Sequence, residues 1–149
     1  MSNSIWDPAV RSSIAARAKR LTADTTARWG KFRASGMLAH LNDSYRMALG
    51  ELKVPSKNLP LRYTPIKQLV IYVLPFPKGA PTAPELIARS SSAVLEDERL
   101  AFVRLFDQLG GLTAKSVLQP HPAFGALSYD EYGALMAKHT EHHFRQFGI

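Results

Sequence analysis

Apolar residues recur along the chain with helical spacing in four separate stretches. Val10, Ile14, Ala18 and Leu21 follow Asp7-Pro8, a pair suited to open a helix because the Asp oxygen can cap free amides and Pro fits the first helical position. Met37, Leu41, Tyr45, Ala48 and Leu52 make a second stripe, with Ser35 as its candidate cap and an end near Gly50 to Pro55. Leu95, Phe102, Leu105, Phe106 and Leu109 lie on one face of a third helix that Ser92 opens and Gly110-Gly111 closes, with Glu96, Asp97 and Glu98 in its first turn. Ser128 and Glu131 form a capping box for a fourth helix running almost to the C-terminus.

Between the second and third helices the pattern breaks. Pro55, Pro60 and Pro65 precede the apolar run Leu69–Leu74, and Pro75, Pro77, Pro81 and Pro84 follow it, so any element there is short. With no second strand to pair with, that run is expected to be helical. Thr82 and Glu85 suggest one further helical turn. Four amphipathic helices without a hairpin signal predict an all-α, antiparallel four-helix bundle with an irregular Pro-rich connection between helices 2 and 3. Residues 1–149 read as a single domain, since no repeat or long linker divides them.

Composition narrows the chemistry. There is no Cys, which removes disulfides, thiolate metal sites and thiol nucleophiles and fits a cytoplasmic protein. The net charge of +7 sits in the first half, but its basic residues are dispersed and carry no nucleic-acid fingerprint. A solvated face, or one that attracts small anions, is the expectation. The N-terminal residues lack a signal-peptide pattern, and the longest apolar run falls far short of the ~20 residues of a membrane span.

Three of the five His fall in Lys138–His143. Tyr132, Met136, His139, His143 and Phe147 lie within about 80° of one another on a helical projection, while Lys138, Glu141 and Arg145 lie opposite. His139 and His143 therefore point inward, and at i, i+4 their rings can converge on one metal ion. Hydrogen bonding to neighbours is the competing role. A third ligand must come from another helix, and His40, at the border of the second stripe, is the candidate; a plain hydrogen-bonded His is the alternative there. A zincin is excluded because the residue after His139 is Thr140, and a di-iron bundle because its Glu-x-x-His pairs are missing. Gln146 and Asp43 are candidates to support the ligands, each otherwise a simple surface or core hydrogen bond. Trp29, Tyr45 and Tyr132 line a pocket or pack in the core. His121, between two prolines, is expected to stay out of any metal shell.

The segments MLAHLNDSYR, LPFPKGAPTAPE, HPAFGALSYDEYG and KHTEHHFRQFG resemble the DinB-like (damage-inducible) superfamily over nearly the whole chain. The resemblance implies a four-helix bundle, often a homodimer, that holds a divalent metal (Zn, Ni, Fe or Mn) through His40, His139 and His143, with His142 as a neighbour. Some such proteins transfer a small thiol to an electrophile. The function expected from this likeness is a metal-dependent thiol transferase of the detoxification type, and the alternative is a non-catalytic metal-stabilised bundle that binds a ligand or partner. Bound thiol or water, activated by the metal, would be the nucleophile.

Overall fold

The computed structural model describes residues 3–149, and its regular elements are all helical, with no strand beyond two isolated bridges among those residues. The long helices are α1 (Pro8–Ala18), α2 (Ala34–Leu49), α4 (Leu95–Gly110) and α5 (Tyr129–Phe147), with a short α3 (Ile66–Gln68) running into a π-helical turn, Leu69–Val73. The apolar run is thus helical, as its isolation required.

Local signals explain most boundaries. Asp7 accepts from the Ala9 amide at 2.8 Å, and the Ser128–Glu131 capping box closes with both reciprocal bonds. Gly50, at φ +83°, ends α2 in the left-handed conformation that a side chain would strain. Two expected caps are wrong. Arg33 and Val94, neither with a side-chain cap bond, precede α2 and α4, so Ser35 lies inside its helix and Ser92 in the turn before. Ser92 donates to the Arg89 carbonyl instead. Nor do Thr82 and Glu85 make a box: the turn there is a 3-10 helix, Pro84–Leu86, with Ala83 before it and no side-chain cap. Helix α1 stops at Ala18, and a turn carries Leu21 into the core beyond its end.

Both α1 and α2 pack against α4 and α5. Their directions follow from side-chain partners. His40 meets His143 while Ala48, near the end of α2, and Tyr132, near the start of α5, share Gln119, and Arg99 reaches Leu21 while Arg11 lies against Gly110, so α2/α5 and α1/α4 are antiparallel. Asn42 bonds Glu98 and Glu51 bonds Gln108, while Ile5 bonds Gly133 and Arg17 bonds Glu141. Hence α2/α4 and α1/α5 run parallel. The expectation of a wholly antiparallel arrangement is corrected in this respect: the long irregular connection carries the chain back to the starting end of α2 before α4 begins.

The core joins Ile14, Leu38, Leu41, Tyr45, Phe102, Leu105, Tyr132 and Phe144. A smaller cluster of Ile71, Phe124, Ala134 and Leu135 fixes the irregular connection on α5. Lys138, expected to face solvent, bends over that connection and donates to the carbonyls of Val70, Ile71 and Leu74, the free end of the π-helical turn.

Candidate metal centre

Helix α2 delivers His40 to the interior, 3% exposed, and α5 delivers His139 and His143 one turn apart, His143 being 8% exposed. The three rings form a nearly equilateral triangle, with centroid separations of 4.9 Å for His40–His139, 4.8 Å for His40–His143 and 4.9 Å for His139–His143, each pair edge to face. One nitrogen from each ring lies within 4.8 Å of the other two, and these three histidines could hold a metal ion.

Hydrogen bonds fix which nitrogens face the centre. Nδ1 of His40 lies 2.9 Å from the Leu86 carbonyl, which can only accept, so the ring proton is on Nδ1 and Nε2 carries a lone pair. Gln146 donates through Nε2 to the Trp29 carbonyl at 2.8 Å, which turns its Oε1 toward His143 Nδ1 at 2.7 Å. That oxygen accepts a hydrogen bond from the His143 Nδ1–H and leaves Nε2 of His143 free as well. Nε2 of His139 stands 3.0 Å from Nε2 of His40, a separation two lone pairs tolerate only with a proton or cation between them.

The electrostatics agree. Burial is the largest influence on all three and lowers their basicity; the proximity of His143 and His40 adds to it at His139, which is driven well below its ordinary value. His143 is pushed down to about 3 by burial and then by His40. At neutral pH the three rings are uncharged, the form in which imidazole can ligate a metal. A dication with ~2.0–2.1 Å bonds to nitrogen needs ligand atoms about 3.3 Å apart in tetrahedral geometry, and the observed span requires only small ring movements to reach it. The donor set and its orientation fit a metal.

The surroundings are aromatic. Phe32 stacks on His40 at 5.4 Å and meets His143 edge-on at 5.8 Å. Phe76 contacts His139 and His142, Trp29 meets His142 at 5.9 Å, and Lys78 stands 4.5 Å over the Trp29 ring. His142 is outside the triangle, half-buried, its ring 5.2 Å from that of His143.

Of the supporting residues expected from sequence, Gln146 contacts His143 through the hydrogen bond to its Nδ1. Asp43 makes no hydrogen bond to His40: its carboxylate receives Arg46 and Arg89, because the arginines offer charged donors and the His40 Nδ1 proton is already taken. Tyr132 is core, its hydroxyl donating to the Gln119 carbonyl, and Tyr45 likewise bonds Thr140. His121 accepts the amides of Ala123 and Phe124 through Nδ1 and is pushed down to about 4 by burial, away from the triangle. Phe32, Phe76 and the Leu86 carbonyl carry no sequence signal of their roles, since all three lie in irregular segments without periodicity.

A family model described as "Protein of unknown function (DUF1569)" matches residues 11–148. The chain belongs to the DUF1569 family. The match spans α2 and α5, so all three histidines of this DUF1569 protein fall within it. No curated protein and no solved structure matches the chain. Among the described residues of this DUF1569 protein no helix is long and apolar enough to cross a membrane.

Proposed function

We propose that this DUF1569 protein is a DinB-like four-helix bundle, one domain over residues 1–149, in which His40, His139 and His143 hold one divalent metal ion, Zn, Ni, Fe or Mn, for the transfer of a small thiol to an electrophile. The observation that carries the reading is the ring triangle with two Nδ1 protons parked on Leu86 and Gln146, which turns lone pairs inward. The resemblance of the histidine segments to DinB-like proteins supports the superfamily, the thiol chemistry and a homodimer.

When bound, a dication with three neutral ligands supplies Lewis acidity that makes a thiol or water acidic near neutral pH. The chain's own residues define the rest. His142, neutral because burial lowers its basicity and Arg145 lowers it further, stands beside the triangle as an acceptor for the proton leaving the nucleophile. Trp29 and Phe76 flank it, and Lys78 adds positive charge that suits an anionic group on the incoming molecule.

A second reading, a metal-stabilised bundle that binds without turnover, is favoured by the absence of any carboxylate from the ligand cluster among the described residues. Protein loaded with each metal and supplied with pairs of small thiols and electrophiles separates the two. Thioether product that is lost in His139→Ala supports transfer; metal binding with no turnover of any pair supports the second reading.

A further inference from the structure

The segment 83–92 supplies the Leu86 carbonyl that orients His40, yet it is a run of tight turns whose main-chain bonds are all local. Leu86 bonds back to Ala83, Ile87 to Pro84, Ser90 to Ile87 and Ser92 to Arg89, and among the described residues no main-chain bond joins this stretch to a long helix. Something else must hold it in place. The Leu86 side chain is buried, and the start of α2 backs onto the segment so closely that a Cβ on Gly36 would stand 2.5 Å from the Ser90 carbonyl oxygen.

The strongest polar anchor is Arg89. Its guanidinium donates through Nε and Nη2 to Asp43 on α2, at 3.1 and 2.9 Å, and through Nη1 to Glu98 on α4, at 2.6 Å. Both carboxylates are buried, 4% exposed each, and Arg46 and Asn42 complete their shells. Burial alone would raise the Glu98 carboxyl, but hydrogen bonds from Arg89 and Asn42 hold it below its ordinary value, so it is ionised. Arg89 lies three residues from Leu86 and is thus the link between two helices and the carbonyl that selects the His40 tautomer.

We infer that Arg89 is a positioning residue for the histidine triangle: its fork onto Asp43 and Glu98 locks the 83–92 segment so that the Leu86 carbonyl holds the His40 proton on Nδ1 and keeps Nε2 free for the metal. The inference rests on the metal reading above, and the test separates the two. Partners that orient a ligating His typically contribute 10- to 100-fold in metal affinity. Lys at this position keeps the charge but cannot fork onto two carboxylates.

The full chain without a His tag is compared with Arg89→Lys, Arg89→Met and the control Arg62→Lys, whose arginine ties down a different loop at Ser56 and Lys57. Long-range ¹H–¹⁵N spectra of metal-free, ¹⁵N-labelled protein report the His40 tautomer, and chelator competition reports zinc affinity. The expected result is a protonated Nδ1 on His40 in the parent and in Arg62→Lys, lost or averaged in Arg89→Lys, with zinc affinity of both Arg89 variants down about 10- to 100-fold. If Arg89→Met does not fold, Arg89→Lys alone decides. An unchanged tautomer and a zinc affinity within about twofold of the parent in Arg89→Lys would overturn the inference. If the parent binds no zinc, the metal reading fails, and the tautomer in Arg89→Lys still decides the role of Arg89.

Discussion

Gln146 is fixed from both ends: its amide nitrogen donates to the Trp29 carbonyl at 2.8 Å and its oxygen receives Nδ1 of His143 at 2.7 Å. One side chain therefore couples the loop before α2 to the tautomer of a candidate ligand on α5. Replacing Gln146 by Met keeps the volume and removes both bonds. The expected effect is a loss of about 10- to 100-fold in zinc affinity, measured by chelator competition, together with destabilisation of about 1–3 kcal/mol in urea.

Gly30 lies under the same side chain. It has φ +79°, and a Cβ there would come 2.7 Å from the Gln146 amide nitrogen. Gly30→Ala adds a left-handed penalty of about 1–2 kcal/mol and displaces Gln146 as well. Its thermal midpoint should fall, and its zinc affinity should fall with that of Gln146→Met. A variant with parental stability and affinity would show that this backbone is not held as described.

The buried pair Tyr45–Thr140 predicts an asymmetry. Thr140 donates to the Met136 carbonyl, so the Tyr45 hydroxyl donates to Thr140 at 2.5 Å. Tyr45→Phe leaves Thr140 with its own acceptor and should cost about 1 kcal/mol. Thr140→Val strands a buried phenol and should cost more, about 1–3 kcal/mol. Urea denaturation of the two variants checks the order.

The buried histidines also set a pH dependence. The folded values of His143 and His121 are pushed down to about 3 and about 4, whereas in the unfolded chain each titrates near its ordinary value of 6.5. Between those values the unfolded chain binds more protons, so the metal-free protein loses stability as pH falls from 6.5 toward 4, by up to about 1.4 kcal/mol per pH unit for each such group. Above 6.5 this contribution is flat. His121→Phe should reduce the slope, and an equal slope in that variant would contradict the burial described.

Much of this was legible in the chain because helical phase is a strong signal. Placing His139, His143 and Gln146 on one face of α5 required only the spacing of Tyr132, Met136 and Phe147. His40 was harder: it sits at the edge of its stripe, and what buries it is the 83–92 segment and Phe32, neither of which has a period. Ser35 and Ser92 misled because a cap also depends on where the preceding chain enters, and the close approach of Gly36 to Ser90 sets that for α2. Asp43 lies one turn from His40 on α2, but its partners, Arg46 and Arg89, outcompete the imidazole. The direction of α4 depended on how the Pro-rich connection returns, which no local signal encodes.

Elemental analysis of the untagged protein, with His139→Ala prepared in parallel, bears most directly on the metal centre. The account predicts close to one equivalent of a single divalent metal per chain in the parent and its loss in a variant that still folds. Equal metal content in both, or none in a parent dialysed against each candidate metal, would contradict it.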